Sequence, residues 1–156
     1  MRFTATAALA LFGASALAAP SAMHAARQDN GEDVSITEFA VHKAGVTGAS
    51  TGTVDGVGFK LSGENATNLD CSATASQVSG LPTDIITCGD SKYRFELLEG
   101  PDSSTFSLKV HHELGQAVGF SGHADVPTYC HSGGLDNQVC SQVKDPLTIH
   151  IDSLPH

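Results

Sequence analysis

Tryptophan is absent from this sequence, and aromatic residues make up only 6% of it. An aromatic cradle for small molecules is therefore poorly supplied. Basic residues are also few: residues 28–156 hold 6 Lys+Arg against 17 Asp+Glu, a net charge of −11. Phosphate backbones and anionic membranes are held by clustered Lys and Arg, so nucleic acid and membrane partners are disfavoured. Helical patterning is missing too, since no long stretch carries an apolar i, i+3, i+4, i+7 stripe. No C-x2-C or H-x3-H pair occurs for zinc, and no D-x-[DN]-x-[DN]-G loop for calcium. The nearest string to a hydrolase elbow, GFSGH at 119–123, has its second glycine one position early.

The apolar run from Ala7 to Phe12 is too short to span a bilayer. Arg2 precedes it and the small residues Ala16-Leu17-Ala18 follow, the pattern of a secretory signal peptide over 1–18 cleaved before Ala19. A second trimming after Arg27 would make residues 19–27 a pro-segment. The remaining 28–156 is long enough for one core and too short for two ordinary domains. Residues 28–33, QDNGED, read as a frayed polar start, with order beginning near Val34.

Four cysteines in a secreted chain imply two disulfides. Three pairings are open by arithmetic; spacing favours Cys71 with Cys88 and Cys130 with Cys140, because each then closes a short loop of turn residues. The string YCHSGGLDNQVC, 129–140, reads as a stapled loop rather than a thiol or metal site. A nucleophilic cysteine would need a free thiolate beside a base.

Apolar residues recur at spacing two in Val57, Phe59, Leu61; Tyr93, Phe95, Leu97; Phe106, Leu108, Val110; and Leu147, Ile149, Ile151. Period two marks strands with one buried face. Between the runs lie GENATN, GLPTD, CGDS, EGPDSS, HELGQ and HSGGLDN, the breakers that hairpins need. The expected fold is all-β, a single antiparallel β-barrel or β-sandwich. Residues 43–56 read as an exposed loop or a weak edge strand, and the glycines of GVGFKLSG as serving a bulge or tight turn.

Adjacent His111 and His112 point to opposite faces of a strand and cannot chelate one ion; His112 shares the inward phase of Val110. His123 and His131 fall near loops, and an enzyme would need one of them joined to a carboxylate in a concave site. Any calcium site would assemble from separated loops, for example around Asp55 or Asp102. No catalytic residue, metal or cofactor is expected. Asn65-Ala66-Thr67 is an N-glycosylation sequon in a turn-like segment.

Several strings together resemble the family named for the major allergen of Alternaria, small secreted fungal proteins that include plant defence elicitors. They are Ile36-Thr37-Glu38-Phe39, Gly58-Phe59-Lys60-Leu61, Cys71-Ser72-Ala73, Cys88-Gly89-Asp90 and Val126-Pro127-Thr128-Tyr129-Cys130 with Gly133-Gly134 and Val139-Cys140. The resemblance implies a compact antiparallel β fold, sequential disulfides, secretion, and action on a plant host. Its members are associated with pathogenesis-related partners such as thaumatin-like proteins and with flavonoid-like ligands. Unlike the allergen, residues 28–70 hold no cysteine for linking two subunits, so a monomer or non-covalent oligomer is expected.

The primary expectation is a secreted, non-enzymatic effector that binds a plant extracellular defence protein through loops at 43–56, 98–104 and 131–138. Within the last, His131, Leu135, Asp136 and Asn137 are the candidate contacts, held on a constrained loop that loses little freedom on binding. The alternative is a carrier of a flavonoid-like or hydrophobic metabolite, held in the barrel interior or an inter-sheet crevice.

Overall fold

The computed structural model describes residues 31–45, 52–133 and 136–153; the signal-peptide, pro-segment and Leu135 expectations lie outside them. Among the described residues nine strands form one sheet: β1 (Gly31–Lys43), β2 (Val54–Gly63), β3 (Ala66–Ala73), β4 (Ile86–Thr87), β5 (Tyr93–Glu99), β6 (Thr105–Gly115), β7 (Val118–Ser132), β8 (Gln138–Gln142) and β9 (Leu147–Asp152). All the pairings are antiparallel, in the order β3-β2-β1-β8-β7-β6-β5-β4. The all-β reading holds, and each period-two run forms a strand of its own. Residues 57, 59, 61, 93, 95, 97, 106, 108 and 110 are all buried, as the alternation requires.

The two long strands β1 and β7 diverge, and the short β8 and β9 fill the space between them. The first half of β1, Gly31 to Ile36, pairs with β9, whereas Ala40 to Lys43 pairs with β8. At the changeover Ile36 and Phe39 are both buried although three apart, so an extra residue must be inserted. The register shifts there, and Glu38 adopts a left-handed φ of 55°. Gln142 satisfies the backbone groups that this bulge frees: its Oε1 accepts from Phe39 N–H at 3.0 Å, and its Nε2 donates to the Ile36 carbonyl at 3.3 Å.

The sheet's edges are β3 and β4. The Cys71–Cys88 disulfide connects them, joining β3 to the residue after β4, so a covalent bond stands where ladder hydrogen bonds would otherwise close the barrel. The second disulfide, Cys130–Cys140, ties directly paired residues of β7 and β8. The interior is filled. Phe39 of β1 and Phe59 of β2 meet Phe106 of β6 and Phe95 of β5 across it, with ring centroids 6.3 and 5.0 Å apart.

One expectation fails at the N-terminus. Gly31, Glu32 and Asp33 belong to β1 instead of fraying, and Glu32 is only 3% exposed. Glu32 shares the inward phase of Val34 and Ile36, and its carboxyl group has partners for both oxygens. Oε1 accepts from the Tyr93 hydroxyl at 2.5 Å and Glu64 N–H at 2.7 Å; Oε2 lies 2.6 Å from His112 Nδ1. The Tyr93 and His112 rings stack at 4.1 Å, each 1% exposed. A side chain on Gly63 would collide with Glu32 Oε1 and lie 2.8 Å from the Tyr93 oxygen, so the last glycine of GVGFKLSG serves close approach.

Candidate functional site

Antiparallel alternation places the C-terminal ends of β1, β3, β5 and β7 beside the N-terminal ends of β2, β6 and β8. The described parts of all three expected loop regions therefore gather at one end of the barrel, opposite the Glu32 cluster. Hydrogen bonds join them. Gly45 N–H donates to Asn137 Oδ1 at 2.8 Å, Lys43 Nζ donates to the Ser103 carbonyl at 2.9 Å, and Ala44 N–H donates to the Thr53 carbonyl at 2.9 Å. Thr128 donates to the Ser104 carbonyl from both its N–H and its hydroxyl. The region 43–56 is not one loop from end to end, since Lys43 ends β1 and Val54 begins β2, both largely buried.

In the stapled loop, Gly133 N–H donates to the Asn137 carbonyl at 2.6 Å and Asp136 takes a left-handed φ of 61°. His131 and Asp136 are exposed, while Asn137 is half-buried. Asn137 spends its side-chain oxygen on Gly45, so it positions the loop rather than projecting from it. Beside this loop, Tyr129 is 71% exposed and Val143 is 65% exposed. Val143 N–H bonds the Pro127 carbonyl, which puts exposed Pro127, Tyr129 and Val143 together on the outer face. Tyr129 was not among the expected contacts, although a signal existed: Val126 and Thr128 point inward, so the alternate positions point out.

The residues considered for other chemistry are engaged elsewhere. Asp55 pairs with His42 Nδ1. Asp102 accepts from Ser104 N–H, the Ser104 hydroxyl and the Thr105 hydroxyl, and these bonds hold its carboxyl below the usual range. Among the described residues, no group of three or more His, Cys, Asp or Glu side chains is arranged to hold a metal ion. All four cysteines are in disulfides, which leaves none to link subunits.

His112 faces inward and His111 outward. Burial lowers the His111 pKa, helped by nearby Lys109, and its Nε2 is buried with no hydrogen-bond partner among the described residues. Glu32, Tyr93 and His112 resemble an acid–base constellation and are each at most 3% exposed, with His112 bordering a cavity at their end of the barrel. Burial, and then the bond to Glu32, raise the Tyr93 pKa far above its ordinary value. Asn65 is exposed in the β2–β3 turn; its N–H donates to the Tyr93 oxygen at 3.3 Å and its Nδ2 lies 3.5 Å from His112 Nε2.

A cavity of about 400 Å³ opens at the loop end, lined by Lys43, Thr53, Val54, Leu81, Thr105 and Phe106, with Glu99 and Asp102 also on its boundary. Lys43 is only 9% exposed, and its ammonium sits 5.2 Å from the Phe106 ring centroid. A second cavity of about 450 Å³ lies at the opposite end, against His111, Phe120 and the exposed Ile85 and Val118. Neither His123 nor His131 borders either cavity.

Comparison with known proteins agrees with this architecture. Effector protein PevD1 of Verticillium dahliae is 48% identical over 159 residues, covering 99% of this chain and 96% of that protein. The same protein from strain VdLs.17 matches equally. Two crystal structures of the Alternaria alternata major allergen Alt a 1 share the fold, each with a TM-score of 0.60. They are 24% and 25% identical, covering 80% and 81% of this chain and 95% and 91% of theirs. A family model described as Alternaria alternata allergen 1 matches residues 36–141. The chain belongs to the Alternaria alternata allergen 1 family.

Proposed function

We propose that this protein is a secreted fungal effector or elicitor that binds a plant extracellular, defence-related protein and modulates plant immunity without catalysis. The observation that carries the reading is the 48% identity, across nearly the whole of both chains, to a protein named an effector. The barrel geometry supports a location for recognition. Loops on a rigid scaffold are where binding residues concentrate, and here three loop regions are tied together beside exposed Tyr129. Thaumatin-like pathogenesis-related proteins are the first partner class to test. Phenylalanine rings occupy the middle of the barrel, so a carrier would have to use the cavities at its two ends.

Mature protein immobilised on resin is expected to retain a defence-related protein from plant apoplastic fluid, identified by mass spectrometry. Tyr129→Asp should lose the capture, and Val118→Asp at the opposite end should keep it. No specific capture, together with no defence response on leaf infiltration, would overturn the reading. N-terminal sequencing of the secreted form tests the start at Ala19 or Gln28. Intact mass before and after N-glycosidase tests a glycan on Asn65.

A further inference from the structure

We propose that the loop-end cavity binds a small monocarboxylate with an apolar body, its carboxylate received by the Lys43 ammonium. This goes beyond the host-protein reading and does not depend on it. A buried charge is ordinarily paired with an opposite charge or fully hydrogen-bonded. Lys43 lies at the inward-facing end of β1, 9% exposed, yet no salt bridge among the described residues includes it. An ammonium carries three donors; the described partners are the Ser103 carbonyl at 2.9 Å and the face of Phe106 at 5.2 Å. Donor capacity is left over in the wall of a cavity of about 400 Å³, within the size range of small-ligand sites.

The other lining groups narrow the ligand. Val54, Leu81 and Phe106 offer apolar surface, while Thr53 and Thr105 bring hydroxyl-bearing side chains. Glu99 and Asp102 add negative charge at the boundary, which opposes anions in proportion to their charge and so disfavours phosphate more than a single carboxylate. Asp102 directs its oxygens to Ser104 and Thr105, and no salt bridge among the described residues joins it or Glu99 to Lys43. One negative charge on an apolar body is the chemistry that fits. Burial also draws the Lys43 pKa down, the direction expected of an ammonium without a full counter-ion.

The test is a two-dimensional ¹H–¹⁵N NMR titration of the disulfide-intact mature protein at neutral pH with benzoate, hexanoate, benzamide and inorganic phosphate. Benzoate and hexanoate should give saturable shifts at Thr53, Leu81, Ser103 and Phe106, with dissociation constants in the low-millimolar range or tighter, roughly, for so small a ligand. Benzamide, the neutral isostere, and phosphate should bind at least about tenfold more weakly. Lys43→Met should lose the benzoate shifts, and Lys43→Arg should retain part of them. Equal binding of benzoate and benzamide by the unaltered protein overturns the proposal whether or not Lys43→Met folds. So do shifts mapping away from the cavity, or no saturation by ~20 mM benzoate.

Discussion

Replacing Tyr93 by Phe removes one oxygen from the buried cluster and leaves the ring in place against His112. An ionised Glu32 can only accept hydrogen bonds, which matches the Tyr93 hydroxyl and Glu64 N–H converging on its Oε1 at 2.5 and 2.7 Å. A hydrogen bond to an ionised group contributes about 1.5–3 kcal/mol net, and one between neutral groups about 0.5–1.5 kcal/mol. The Asn65 N–H, also bonded to the Tyr93 oxygen, is in an exposed turn where water can replace it. Tyr93→Phe should therefore cost about 2 kcal/mol, a fall in Tm of roughly 6–10 °C for a domain of this size. Without tryptophan as a fluorescent reporter, urea unfolding followed by far-ultraviolet circular dichroism with the disulfides intact is the assay. Glu32→Gln and the double variant complete a cycle. Because the two residues share one bond, the double variant should cost less than the sum of the singles by about 1 kcal/mol or more. A Tyr93→Phe cost below about 0.5 kcal/mol, or strict additivity, would refute the cluster's role in stability.

The remaining predictions concern pH and stitching. Since the folded state raises the Tyr93 pKa above its ordinary value of 10.0, the unfolded chain releases a proton that the folded chain keeps. Stability should fall as pH rises above about 10, and less steeply in Tyr93→Phe; equal slopes in alkaline urea melts would contradict this. His111 has the opposite linkage: its folded pKa is lowered from 6.5, so the unfolded chain binds more protons in acid. Acidification below about 6.5 should cost the unaltered protein more stability than His111→Gln, measured as the difference in melting temperature between neutral and acidic buffers. Removing the Cys71–Cys88 pair as Cys71→Ala with Cys88→Ala should cost about 3 kcal/mol and speed amide exchange in β3 and β4, because no ladder joins those edges. Losing Cys130–Cys140 should leave β7–β8 exchange less affected, since those strands are hydrogen-bonded to each other. Gln142→Ala should cost about 1–3 kcal/mol and expose Phe39 N–H to exchange, whereas an unchanged Phe39 rate would show that another group covers the bulge.

The strands were legible in the sequence because a pleated strand alternates faces with a strictly local period of two. Val57, Phe59 and Leu61, or Tyr93, Phe95 and Leu97, needed only their neighbours for the reading. The breakers between the runs acted just as locally. Tertiary structure alone decided that the Cys71–Cys88 pair expected from spacing lies between the two edges of the sheet, how β8 and β9 share the opening between β1 and β7, and that three loop regions gather at one end. It also decided the fate of two charged residues. Glu32 stood in a string that reads as frayed, yet it is buried because its partners, Glu64, Tyr93 and His112, come from 32, 61 and 80 residues away. Lys43 stood at the start of a polar stretch, yet the Ser103 carbonyl, 60 residues on, meets its ammonium inside the barrel's end. Apolar alternation is written into adjacent positions, whereas the burial of a charge depends on groups that only the completed fold brings within reach.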